Sequence, residues 1–146
     1  MNGLAGGRFV AHSAGSQPVG RVNPFAIELL RESGLPTDGL RSKSWNEFAA
    51  PGAPPLDFVF TVCDNAAGEA CPYWPGHPAT AHWGVADPAA VEGSDDDKRK
   101  AFLRVMAVLQ HRIELFLGLP HKTLGRPELQ RRLAEIGRTD DTAQSA

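Results

Sequence analysis

The stretch LDFVFTV, Leu56–Val62, limits the fold more than any other part of this chain. It is short, almost wholly apolar or β-branched, and follows a loop of proline, glycine and alanine at residues 50–55. A run of this kind reads as a β-strand covered on both faces, the usual state of a strand in a parallel sheet. ATAHWGV, Ala79–Val85, reads as a second strand, and RFVAHSAG, Arg8–Gly15, as another nearer the N-terminus.

Helical signals alternate with these runs. In NPFAIELLRESG, Asn23 is placed to cap, Pro24 suits the first turn, and Gly34 stands where a closing glycine belongs. Phe25, Leu29 and Leu30 would share its buried face. SWNEFAA predicts a short helix capped by Ser44, with Glu47 three residues on. Residues 94–120 predict the longest helix: Ser94 and Asp97 have capping-box spacing, and Asp95, Asp96 and Asp97 lie where the helix dipole favours negative charge. A solvated first turn accounts for these aspartates better than a cation site. Phe102, Met106, Leu109, Ile113 and Phe116 form an apolar stripe along this helix. Arg126–Gly137 predicts a last helix. Strands alternating with helices indicate an α/β layer fold built on a parallel sheet. The 146 residues predict one domain over residues 1–137 and a disordered tail at 138–146.

Composition excludes several function classes. The formal charge of −2 offers no basic field for nucleic acid and no polybasic membrane patch. No apolar run reaches the roughly 18 residues needed to span a bilayer. The first residues, MNGLAGGRFV, have no apolar core of a signal peptide. The expectation is a cytoplasmic chain with reduced thiols and no cofactor.

Both cysteines, Cys63 and Cys71, fall in the segment that follows the first strong strand. Together with His77 and His82 they could offer two sulfur and two nitrogen ligands. The cysteines are eight positions apart, too far for a tight zinc knuckle, and no metal is expected. A thiolate nucleophile of the phosphatase kind needs an arginine six positions on, to clamp the oxyanion. That position holds Glu69 after Cys63 and His77 after Cys71, so neither can serve. A redox pair in a loop and two inert thiols both remain open. In open α/β sheets ligands bind beyond the carboxyl ends of the strands. Cys63 lies at one such end and Asp87 at another, so neighbouring strands would put a thiol and a carboxylate at one edge. An Asp-Pro pair is also a common turn former. His82 and Trp83, just before it, read as packing residues.

DFVFTVCDNAAGEACP followed by HWGVADPAAVEG resembles the thioredoxin-coupled arsenate reductases, which share the low-molecular-weight protein tyrosine phosphatase fold. AHSAGSQP, RVNPFAIELL, GLRSKSWNEF and RIELFLGLP extend the likeness from about Arg8 to about Pro120. The resemblance implies a three-layer open parallel sheet and a three-cysteine relay. A first cysteine, in an anion-binding loop, attacks arsenate. A second attacks the thiol–arsenic adduct and releases arsenite. A third resolves the disulfide, which thioredoxin or a similar thiol reductant then reduces. Cys63 matches the second cysteine, Cys71 the third, and Asp87 the acid that protonates the leaving oxygen. Ser13 matches a position beside the anion loop.

The family pattern opens with a strand, a loop of cysteine, five residues, arginine and serine, and a helix. Those features are not found in this sequence, so the expectation is a domain lacking its first strand and anion loop. Two neighbouring strands would then lose backbone partners, and Val10, Phe58 and Phe60 would lose apolar cover. The cysteine pair is also spaced one residue wider than the pattern. The resulting expectation is an arsenate reductase-like chain, inactive as these 146 residues alone. A noncatalytic remnant or partner-completed dithiol module is the alternative, and a low-molecular-weight phosphatase a third reading.

Overall fold

The computed structural model describes residues 1–62, 74 and 76–139. The elements in chain order are α1 (Asn2–Ala5), α2 (Pro24–Glu32), a 3-10 turn (Trp45–Phe48), β1 (Phe58–Thr61), β2 (Ala79–His82), a second 3-10 turn (Pro88–Ala90), α3 (Asp95–Leu117) and α4 (Arg126–Gly137). β1 and β2 pair in parallel, with Phe58 opposite Ala79 and Thr61 opposite His82. This is an α/β fold built on a small parallel sheet, as the alternation of the sequence predicts.

Local chemistry sets the helix ends. The Asn23 side chain accepts the Phe25 backbone N–H at 2.9 Å, and Gly34 takes φ 74°, a left-handed conformation that glycine adopts without strain. Ser94 and Asp97 form the full capping box of α3, with both bonds at 3.1 Å. The Ser94 backbone N–H, reinforced by its hydroxyl, holds the Asp97 carboxyl below the usual carboxylate range. At the first 3-10 turn, Ser44 caps Asn46, while Glu47 leaves the box and pairs with Arg41 at 2.6 Å.

Alternation in β1 puts Phe58 and Phe60 on one face, level with Ala79 and Ala81 of β2. The core sits there, around Phe116, Leu133, Trp83 and Ile136. On the opposite face, Thr80 and His82 are exposed, so the strands are not covered equally on both sides. The apolar stripe of α3 is likewise divided. Its C-terminal half meets the sheet, with Val108, Arg112 and Phe116 buried. Its N-terminal half meets α2, where Phe25 lies 5.9 Å from Phe102 and neither ring is fully buried. Phe25, Leu29 and Leu30 are all half-buried rather than enclosed.

The structure corrects the reading of Arg8–Gly15. This segment forms no strand, only an isolated parallel bridge between Gly15 and Ser44. A strand exists by pairing, and no neighbour runs beside residues 8–14 among the described residues. The Asn2 carboxamide fills part of that role: it donates to the Ala11 carbonyl at 3.1 Å and accepts the Ala11 N–H at 2.7 Å. Phe9 still enters the core, 5.0 Å from Phe116, but Val10 is 79% exposed. β1 has a related open side. Asp57 and Thr61 accept from β2 through their carbonyls, so the backbone groups of Phe58 and Phe60 point toward the other edge. Among the described residues nothing pairs with that edge.

α4 closes against β2 at a glycine. A Cβ on Gly137 would lie 2.5 Å from the His82 carbonyl oxygen and 2.9 Å from Trp83 Cδ1. Neither the strand backbone nor a buried indole can yield cheaply. Gly137→Ala is therefore expected to cost about 1–3 kcal/mol, read as a lower urea midpoint with unchanged slope. An unchanged midpoint would mean that α4 is not held this close to β2.

Candidate functional site

Backbone bonds still join the two segments past the strands, with the register shifted by one residue. The Trp83 N–H donates to the Thr61 carbonyl at 2.7 Å, and the Val85 N–H to the Val62 carbonyl at 2.9 Å. Val62 is the residue before Cys63, and Val85 stands two residues before Asp87. The chain thus reaches Cys63 and Asp87 from the same carboxyl edge of adjacent strands, where ligands of open α/β sheets bind. Cys63 and Cys71 themselves lie outside the described residues.

Asp87 is exposed and caps the 3-10 turn Pro88–Ala90, with its Oδ1 accepting the Ala89 N–H at 2.9 Å. The Asp-Pro pair thus forms a turn, as its composition suggests. One carboxyl oxygen fixes the side chain, and the other makes no hydrogen bond among the described residues.

Sequence reasoning missed Arg112, which carries the backbone leading to Asp87. It is only 5% exposed. Its Nη1 donates to the carbonyls of Trp83 at 2.9 Å and Gly84 at 3.1 Å, and its Nη2 to that of Thr139 at 3.3 Å. One planar guanidinium thus ties the exit of β2 to α3 and to the end of α4. The available signal was spacing: Arg112 falls four residues after Val108 and four before Phe116, in line with two apolar residues.

The remaining candidates divide plainly. Trp83 is 2% exposed, with its indole N–H donating to the Leu133 carbonyl at 3.0 Å, so it is a core residue. His82 is exposed, and its Nδ1 lies 2.7 Å from Thr61 Oγ1, on the face away from the core. Ser13 is exposed in the irregular segment, and its hydroxyl makes no hydrogen bond among the described residues. The His12 ring lies 5.2 Å from that of Phe48, tilted by 42°. Among the described residues no group of three or more histidines, cysteines, aspartates and glutamates could hold a metal ion. Asp96 pairs with Lys100 at 3.0 Å and Asp97 belongs to the capping box, as a solvated first turn requires.

Residues 1–131 match the family model described as low molecular weight phosphotyrosine protein phosphatase. The chain belongs to that family. Within the family its relatives are reductases by name. It is 34% identical over 111 residues to the arsenate reductase of Halalkalibacterium halodurans, which covers 76% of each chain. The arsenate reductase of Bacillus licheniformis is 34% identical over the same length and share. That of Bacillus subtilis is 32% identical over 111 residues, again 76% of each chain. No helix among the described residues is long and apolar enough to cross a membrane.

Proposed function

We propose that this chain is arsenate reductase-like and supplies the later thiols of a cysteine relay. The observation that carries the reading is the Val85–Val62 bond, which brings the approach to Cys63 and the Asp87 turn to one edge. In this reading a first thiolate bonds to arsenic(V), and Asp87 protonates the departing oxygen, which leaves as water. The Cys63 thiolate then attacks the sulfur of that adduct. The sulfur–arsenic bond breaks, its electron pair stays on arsenic, and arsenic(III) departs as arsenite. Cys71 attacks Cys63, freeing the first thiol and leaving a Cys63–Cys71 disulfide. A dithiol reductant of the thioredoxin class returns two electrons and two protons. A reducing cytoplasm is the setting in which this cycle runs. Ser13 is proposed to support the anion loop.

The first thiolate is not among these 146 residues, since no cysteine here is followed six positions on by arginine. The polypeptide of these residues alone is expected to turn over no arsenate. The edge of β1 that is unpaired among the described residues supports the second reading, a dithiol module completed by a partner that brings the loop. The family description also admits a phosphatase, but a phosphatase needs a nucleophile and an acid and has no use for two further thiols.

The dithiol step is testable on the chain itself. Mild oxidation is expected to remove two hydrogens from its mass and to join Cys63 to Cys71 in the peptide map. Thioredoxin with its reductase and NADPH should restore the starting mass. Two thiols that stay free, or that link only between chains, would defeat the relay.

A further inference from the structure

A concavity of about 330 Å³ opens between the exit of β2, the middle of α3 and the end of α4. Three arginines line it, Arg104, Arg112 and Arg138, and among the described residues no aspartate or glutamate does. Arg41 pairs with Glu47, Arg99 with Glu28, and Arg131 and Arg132 with Glu128. By contrast, the Arg104 and Arg138 side chains are exposed and join no ion pair or hydrogen bond among the described residues. Gathering like charges around one hollow is unfavourable until an anion fills it. Arg112 is fixed at the wall by its bonds to the Trp83, Gly84 and Thr139 carbonyls, so its guanidinium is held in place before any ligand arrives. Val105 and Val108 supply an apolar wall, and Gly84–Ala86 a backbone rim that carries no charge.

We propose that this hollow is an accessory anion site for a phosphate-type oxyanion, free or as the terminal group of a small monoester. Guanidinium groups present paired N–H donors that match tetrahedral oxyanions, and Arg104 and Arg138 have theirs to spare. The rim ends at Ala86, the residue before Asp87, so an anion bound here stiffens the turn that carries the acid. The site stands on the arginines and the hollow and is independent of the arsenate reading.

The test is a titration of the full chain, followed by backbone amide resonances, with inorganic phosphate and separately with glycerol 3-phosphate. Chloride at matched ionic strength serves as the control. Saturable shifts are expected at Val85, Ala86, Val105 and Thr139 with phosphate and not with chloride. Arg104→Gln and Arg138→Gln, both at exposed unpaired positions, should each weaken binding about tenfold or more, the usual scale for a charge-assisted hydrogen bond, while leaving the spectrum folded. A tighter fit of the monoester would identify an esterified ligand; equal or weaker binding would identify the free oxyanion. Shifts centred elsewhere, equal shifts with chloride, or binding unchanged in both variants would overturn the proposal.

Discussion

Phe116→Ala is expected to destabilise the fold by about 3–5 kcal/mol. Phe116 is 1% exposed and is the ring about which the core is arranged. Its centroid lies 5.0 Å from Phe9, 5.0 Å from Phe58, 5.4 Å from Phe60, 4.7 Å from His121 and 6.2 Å from Trp83. Most of these pairs meet edge to face, the arrangement that aromatic quadrupoles favour. Removing the ring loses its burial and leaves a cavity bounded by an irregular segment, a strand and a helix end. No single neighbour can collapse into it. Small domains hold only about 5–15 kcal/mol in total, and among the described residues β1 has one paired edge, so little surplus remains. Leu103→Ala on the same helix is the control, because Leu103 is 55% exposed and should change stability by less than about 1 kcal/mol. Equal urea midpoints for the two variants would show that the core does not lie where α3 meets β1.

The second large effect is expected at Arg112. Arg112→Met keeps most of the side-chain volume but removes the donors that reach Trp83, Gly84 and Thr139. Three carbonyls lose their partners, that of Trp83 in a buried setting and the others half-buried, at a cost of about 2–4 kcal/mol. The loss has a local signature as well. Amide exchange should rise at Gly84–Asp87, because the guanidinium anchors the backbone leading to the acid. Arg112→Lys should restore part of the stability and little of the protection, since an ammonium cannot span carbonyls held by a planar fork. Native protection in Arg112→Met would mean that the turn is held by something else.

Features that depend on neighbours in sequence were legible. The Asn23 cap and the Ser94–Asp97 box each rest on residues a few positions apart, and both formed as their spacing requires. The bounds of α4 and the parallel sense of β1 and β2 also followed from local pattern and alternation, while their adjacency was only a condition. Features that depend on distant partners were not. Arg8–Gly15 has the composition of a strand, but strand structure needs a ladder, and the Asn2 side chain supplies only one rung. Arg112 reads as a solvent-facing charge because its acceptors lie 27 to 29 residues away. Gly137 reads as a simple helix end, whereas its role is to let α4 reach the His82 backbone. Of the site residues, the approach to Cys63 and the turn at Asp87 could be placed from strand ends. The roles of Cys63, Cys71 and Ser13 came from family resemblance, because a thiol's partner in a relay leaves no trace in periodicity or composition.

The most direct measurement is arsenate-dependent NADPH oxidation, in the presence of thioredoxin and its reductase, by a folded fusion carrying a strand, a Cys-x5-Arg loop and a helix ahead of Met1. The account predicts turnover by the fusion and none by the 146-residue chain. It predicts loss of that turnover in Cys63→Ser and Cys71→Ser, and a fall of about 10²–10⁴-fold in Asp87→Asn, the scale of general acid catalysis. Hydrolysis of a simple aryl phosphate by the same fusion should survive Cys71→Ser. Arsenate turnover that persists without Cys71, or a fusion that hydrolyses the phosphate ester and leaves arsenate untouched, would contradict the relay.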